Sequence, residues 1–357
     1  MARTQALIVG GGPAGAAVAI ALARGGAAPV LIDRSPGDRD VVCGGFLGWD
    51  ALASLRLQGL DPADLGARPI HRLRLSARGR IVERTLPRAA AGLSRRRLDA
   101  ALLSMAESAG ATILRGRTAR ALDGDCVRLD TGEEMTAEAL FLATGKHELR
   151  GAARDTGNRP VSVGLRTALA PDAGMATALA GTIELHLYDG GYAGLLLQED
   201  GSVNLCLTVS RARMAAAGGA EALVAELALE SPLLAERLAV SPPAGWEATA
   251  GVPYGWRARK ALPGRFRVGD QAAVIASLAG DGIAIALASA ASAARAFLHG
   301  EDAQAWQPAF ARRAARSLAV AELLRHMAEN PLRRRMMMRL ADVPGVAKAA
   351  ARLTRIG

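Results

Sequence analysis

Apolar and polar positions along the chain change period repeatedly, and each change marks an element. Ala6 to Val9 is an apolar run, Pro13 to Arg24 is Ala-rich with helical spacing, and Pro29 to Ile32 is a second apolar run ending on Asp33. This reads as one βαβ unit. Between Ile70 and Leu86 two alternating segments flank Ala77-Arg78-Gly79, which predicts a hairpin, and Leu98, Leu102, Met105 and Ala109 predict a helix over Arg95 to Gly110. Short strands are expected at Thr118 to Leu122, at Cys126 to Leu129 and at Ala139 to Ala143. From Val161 to Val209 the period falls to two: Ile183, Leu185 and Leu187 alternate with Glu184, His186 and Tyr188, and Val203, Leu205, Leu207 and Val209 with Asn204, Cys206 and Thr208. A helix from about Arg211 to Leu229 follows, and an α/β pattern returns at Phe266 to Ala290.

That return predicts a discontinuous nucleotide-binding domain over residues 1–70, 95–160 and 255–330. An antiparallel-sheet domain over 71–94 and 161–254 interrupts it, and a basic helical segment covers 331–357. The expected class is α/β: a Rossmann-like domain with a three-layer parallel sheet, interrupted by an α+β substrate domain.

Two apolar stretches invite a membrane reading and fail it. The run from Ala6 to Ala23 is broken by Gly10, Gly11, Gly12, Pro13 and Gly15, so no signal peptide is inferred; Ala272 to Ala294 carries Asp281 between two glycines and makes a poor span. The formal charge of +10 comes almost wholly from Arg, and with aromatic residues at 3% there are few platforms on which bases could stack, so nucleic acid is excluded as a partner. Cys43, Cys126 and Cys206 are odd in number and widely spaced, which fits neither a disulfide framework nor a metal site, and the expected setting is cytoplasmic.

The chemistry begins at Gly10-Gly11-Gly12-Pro13-Ala14-Gly15, a GxGxxG motif placed directly after a strand and at the start of a helix. Gly10 allows the tight turn, Gly12 lets the backbone approach a pyrophosphate, Gly15 lets helix and strand pack closely, and the helix N-terminus offers free N–H groups to the anion. Asp33, at the end of the second strand, suits a ribose hydroxyl and would repel a 2′-phosphate. The site therefore wants FAD or NAD rather than NADP.

Four segments in order carry a resemblance: this βαβ unit with Asp33; Cys43-Gly44-Gly45-Phe46-Leu47; Arg95-Arg96-Arg97-Leu98-Asp99; and Gly264 to Asp270 followed by Gly280-Asp281-Gly282-Ile283. The chain resembles the flavoprotein superfamily of the class A monooxygenases (the p-hydroxybenzoate hydroxylase fold) and the geranylgeranyl reductases. The resemblance implies non-covalent FAD, with Arg95 on its phosphates or ribose, Asp270 on its ribityl chain, and Gly280, Gly282 and Ile283 beside the pyrimidine end, where a helix dipole stabilises negative charge. Pro13, Ala14, Arg34, Cys43, Gly44, Gly145 and Gly269 complete the expected cofactor set. Ser277-Leu278-Ala279 departs from the hydroxylases' Pro, Thr144 stands where many relatives carry an acid, and the halogenases' tryptophan pair and lysine are not visible.

The resemblance implies an FAD-dependent oxidoreductase with NAD(P)H as transient electron donor. Its leading reaction is monooxygenation of an apolar aromatic or polyketide-like molecule, with O₂, through a flavin hydroperoxide. Reduction of C=C bonds of a prenyl or polyene chain is the alternative, for which Cys-Gly-Gly is the better match; an electron carrier or non-catalytic flavin-binding protein is a third. Catalytic candidates are Cys43, as a channel or proton-relay residue or simply a small buried side chain, and His186, as an acid or base or a plain sheet histidine. Beyond Pro344, Lys348, Arg352 and Arg355 share one helical face and Val346, Ala350 and Leu353 the opposite one, which suggests either a terminal helix packed on the domain or weak contact with the inner membrane face.

Overall fold

A computed structural model describes the chain over residues 2–356. Strand β1 (Ala2–Val9) leads through a glycine turn into α1 (Pro13–Arg24) and β2 (Pro29–Asp33). A short β3 (Phe46–Leu47) and α2 (Trp49–Leu57) precede the hairpin of β4 (Arg68–Ala77) and β5 (Arg80–Gly92). Next come α3 (Arg95–Ser108), β6 (Thr112–Arg115), β7 (Ala119–Asp123), β8 (Cys126–Leu129) and β9 (Glu134–Leu142). The middle of the chain supplies β10 (Ser162–Leu169), α4 (Ala173–Leu179), β11 (Thr182–Tyr188), β12 (Gly191–Leu197) and β13 (Val203–Ser210). There follow α5 (Arg211–Ala217), α6 (Ala220–Glu230), α7 (Pro232–Val240), β14 (Glu247–Val252) and β15 (Arg265–Arg267). The chain closes with α8 (Gly282–Leu298), α9 (Ala303–Arg313), α10 (Ala315–Glu329), α11 (Pro331–Ala341) and α12 (Val346–Leu353).

The architecture is α/β with two sheets. The first has seven strands in the order β6-β2-β1-β9-β8-β7, with β15 also on β9; β6, β2, β1, β9 and β15 run parallel. Parallel strands must be covered on both faces, and the alternation in β1 meets that demand. Ala6 and Ile8 join the core formed with α1, α3 and α8, whereas Leu7 and Val9 join Leu122, Val127 and Leu129 of the β7–β8 excursion. The second sheet has eight strands in the order β14-β10-β13-β12-β11-β4-β5-β3, antiparallel except that β11 runs parallel to β4.

One local reading needs correction, and the register settles a point that alternation leaves open. The single helix expected over Arg211 to Leu229 is broken into α5 and α6 at Gly218, whose φ of +80° is left-handed, and at Gly219. The polar rows of β11 and β13 do not share a face. Register aligns Leu185 with Gly194 and Gly194 with Cys206, so the apolar row of β11 and the polar row of β13 lie together on one side. On the other side Glu184, His186 and Tyr188 join Leu195, Leu205 and Leu207 beneath α6 and α7. Among the described residues no helix is long and apolar enough to cross a membrane.

Candidate active site

Two cavities meet between the sheets. The polar one, about 530 Å³, runs from the glycine turn past Asp33 and Arg34. The apolar one, about 380 Å³, lies under the second sheet and the C-terminal helices. Gly12, Arg95, Gly145, Lys146 and Asp270 line both, so the two are continuous.

At the polar end the glycine turn is built as its sequence demands. Gly10 has φ +111°, and a Cβ there would come within 2.4 Å of the Ala143 carbonyl oxygen; a Cβ on Gly15 would come within 1.8 Å of the Gly10 carbonyl oxygen. Gly15 thus touches neither cavity and serves to seat α1 against the turn. The first turn of α1 holds Pro13, no acid and no side-chain cap, which leaves N–H groups open to an anion. Arg95 stands opposite. A Cβ on Gly12 would lie 3.1 Å from its Nη2, so any side chain there narrows the gap between loop and guanidinium. Burial opposes the charge of Arg95, but bidentate bonds to Asp99 at 2.8 and 2.7 Å outweigh it and hold the group protonated. Ser94 caps α3 by accepting from Arg97 N–H at 3.1 Å, which fixes where Arg95 starts.

Asp33 accepts from Gly11 N–H at 2.6 Å and from Ser35 N–H at 2.7 Å, so it organises the turn as well as facing the cavity. Arg34 donates to His147 Nε2 at 2.6 Å, a partnership between positions 113 residues apart that no motif links; burial first, then Arg34, pushes the His147 pKa down. At the junction Lys146 lies 3.9 Å from Asp270. Burial disfavours its charge, yet Asp270, followed by Cys43 and Tyr254, more than compensates and raises its pKa. Opposed guanidinium and ammonium groups, an uncapped helix and a carboxylate at the ribose end fit a dinucleotide diphosphate.

Pro13, Ala14, Cys43, Gly44, Gly269, Gly280, Gly282 and Ile283 line the apolar cavity. Gly280 has φ +73° and leaves no room for a Cβ beside Phe46. His186 reaches neither cavity. It is fully buried between Glu184, with Nε2 3.0 Å from Oε1, and Ser231, with Nδ1 3.0 Å from Oγ. The register of β11 explains this, since it turns His186 toward α7.

Polar groups in the apolar cavity are few and grouped. Tyr254 Oη lies 2.5 Å from Ser277 Oγ and 3.3 Å from Thr208 Oγ1, with Tyr192 and Cys206 beside them. Burial raises the pKa of both tyrosines, and burial, aided by Cys43, pushes the Cys206 thiol up to about 12. All three hold their protons at neutral pH. Tyr254, Ser277 and Lys146 were missed as site residues in the sequence, because no pattern links positions so far apart; the terminal helix was expected as one packed on the domain, but not its place over the cavity.

The terminal helix also departs from expectation. Ala347, Ala350 and Ala351 of α12 roof the apolar cavity, and Arg355 is turned inward over the Trp49 ring at 4.0 Å rather than sharing a solvent face with Lys348 and Arg352.

Residues 3–151 match the family model described as FAD binding domain. Over 119 residues, 32% of this chain and 25% of the relative, the sequence is 38% identical to the chloroplastic geranylgeranyl diphosphate reductase of Oryza sativa subsp. japonica. Over 220 residues, 56% of this chain and 53% of the relative, it is 31% identical to a menaquinone reductase of Mycobacterium tuberculosis. The matches span a quarter to about half the length of these curated relatives. Among solved structures, a geranylgeranyl bacteriochlorophyll reductase-like protein from Thermoplasma acidophilum superposes with a TM-score of 0.78 at 17% identity, covering 99% of this chain and 97% of that one. The flavin-dependent brominase Bmp2 gives 0.77 at 16%, covering 99% and 93%, and PqsL, a probable FAD-dependent monooxygenase from Pseudomonas aeruginosa, gives 0.70 at 17%, covering 94% and 100%.

Proposed function

From a chain whose residues 3–151 form an FAD binding domain within the class A flavoenzyme fold, we propose an FAD-dependent reductase that saturates a C=C bond in a long, apolar, isoprenoid-like substrate. The observation that carries this reading is the character of the apolar cavity. Its walls are mainly aliphatic, and the uncharged polar side chains Cys206, Tyr192 and Tyr254 among them are held protonated by burial. No His or Glu lines that cavity among the described residues.

Reduction of a C=C bond requires a hydride at one carbon and a proton at the other, so protonated groups facing the chain suit it. Hydroxylation of a phenol or enol is helped by a base that removes the substrate's proton, and the one carboxylate here, Asp270, is paired with Lys146. Bound FAD, once reduced by two electrons, would supply the hydride, and a nicotinamide cofactor met transiently is the proposed source of those electrons. The protein's part is to hold the diphosphate with Arg95 and the α1 N-terminus, to keep water from the cavity with α12, and to keep protons on Tyr254 and Cys206. The names of the curated relatives, geranylgeranyl diphosphate reductase and menaquinone reductase, support this direction.

Monooxygenation is the second reading, supported by the likeness to PqsL. One experiment separates them. Reduced holoprotein is mixed with an isoprenoid quinone or geranylgeranyl lipid without air, any quinol formed is reoxidised to the quinone afterwards, and product is analysed by mass. Flavin reoxidation with a product heavier by two hydrogens is the expected result. Product that forms only in air and gains an oxygen atom overturns the proposal.

A further inference from the structure

Helix α11 has two unlike faces. Arg334, Met338 and Ala341 are buried against the rest of the protein, while Leu332, Met336 and Leu340 point outward at intervals of four residues and are 74%, 51% and 42% exposed. An outward apolar stripe of this kind on a packed helix needs a partner.

The charges beside it indicate which. Arg333, Arg335 and Arg339 on α11, with Lys348 and Arg352 on α12, are exposed and enter no ion pair among the described residues; Arg334 and Arg355 are committed to Asp189 and to Asp50 and Asp281. The acid between these helices, Asp342, is already held by Arg80 and Arg84. An apolar stripe in a basic surround complements an anionic lipid surface rather than a neutral or basic partner. Leu340 and Val346 belong both to this exposed surface and to the lining of the apolar cavity, so the stripe runs into the cavity mouth.

We propose that the α11–α12 face seats on an anionic bilayer with the cavity mouth turned to the lipid. Docking rests on this surface alone; passage of a membrane-borne substrate through the mouth rests on the reductase reading above.

The test is co-sedimentation of the full-length holoprotein with vesicles of phosphatidylcholine alone or mixed with phosphatidylglycerol. Binding to the mixed vesicles at low salt is expected, about tenfold weaker on phosphatidylcholine or at high salt. Leu332→Ser with Met336→Ser, and separately Arg335→Glu with Arg339→Glu, should each weaken it about tenfold while leaving bound FAD and gel-filtration size unchanged. None of these four residues lines either cavity. Absence of native binding at low salt, or variants that bind as the native protein does, overturns the proposal. A native dimer that the Leu332→Ser and Met336→Ser pair converts to monomer, without vesicle binding, assigns the stripe to a second copy and also overturns it. Turnover of detergent-dispersed substrate is measured in parallel: turnover without vesicle binding fails the docking alone, and binding without turnover fails the reductase reading alone.

Discussion

Arg355, two residues from the C-terminus, pairs with the fully buried carboxylate of Asp281, the residue that precedes α8. The same guanidinium lies over Trp49 at 4.0 Å and 3.5 Å from Asp50. The last turn of the chain is thereby tied to the helix whose start borders the apolar cavity, and α12 is held across that cavity as a roof. Removing one partner of a buried pair leaves the other charge without compensation. Arg355→Met should therefore destabilise the protein, read as a lower urea midpoint. The double change Arg355→Met with Asp281→Asn should recover much of that loss. Equal loss in single and double variants would mean that the contact with Trp49, not the charge pair, holds the cap.

The glycine turn gives a graded prediction. Asp33→Ala removes charge-assisted bonds to Gly11 and Ser35 and a carboxylate facing the cavity, and should weaken FAD retention by about 1.5–3 kcal/mol. Gly12→Val fills the gap beside Arg95 and should abolish it. Dialysis followed by the flavin absorbance per protein measures both. Wild-type flavin content in the two variants would exclude this turn as the cofactor site.

Much of this end of the molecule was legible in sequence, because its constraints are local. Gly10, Gly12, Gly15 and Asp33 lie within one βαβ unit, and strand, turn and helix each announce themselves by period and by glycine. Lys146 and Asp270 meet at 3.9 Å only through tertiary folding, as do Arg355 and Asp281. Alternation in β11 and β13 revealed two-faced strands, but which face looks inward depends on register between them. That is why His186, on a polar row, belongs to a buried network under α7 and not to the cavity.

That network makes stability depend on pH. Glu184 is fully buried, and burial by itself would raise its pKa; bonds from His186 at 3.0 Å, Arg237 at 3.2 Å and Arg74 at 2.7 Å instead hold it down at about 2. A carboxylate whose folded-state pKa is depressed stabilises the fold above its unfolded value, near 4.3, and loses that contribution as pH falls toward the folded value. The shift corresponds to roughly 3 kcal/mol at neutral pH. Urea unfolding of wild type and Glu184→Gln should differ by about that much at pH 7 and converge between about pH 4 and pH 2. A gap that stays constant down to pH 3 would show that shape rather than charge accounts for the effect.

Tyr254 can be tested apart from cofactor binding. Tyr254→Phe removes the hydroxyl that lies 2.5 Å from Ser277 Oγ but keeps the ring buried. Loss of one positioned proton donor slows a proton-dependent step by about 10²–10⁴-fold, while flavin content and the rate of flavin reduction by dithionite or by the proposed nicotinamide donor should be unchanged. Single-turnover measurement with reduced enzyme and substrate separates the two half-reactions. If flavin reduction falls and substrate turnover does not, Tyr254 acts on the cofactor and not on the chain.

Lys146 occupies the junction of the two cavities, so its charge faces the diphosphate end on one side and the apolar cavity on the other. Asp270 keeps it protonated despite burial. A fixed cation there favours whichever cofactor state carries more negative charge, and reduced flavin carries more than oxidised. Lys146→Met should accordingly weaken FAD binding and, in the fraction that retains FAD, shift the flavin midpoint potential to a more negative value. Equilibrium reduction against a reference dye measures that shift directly. Weaker binding with an unchanged potential would confine the role of Lys146 to the diphosphate, and an unchanged affinity with an unchanged potential would mean that Asp270 alone absorbs its charge.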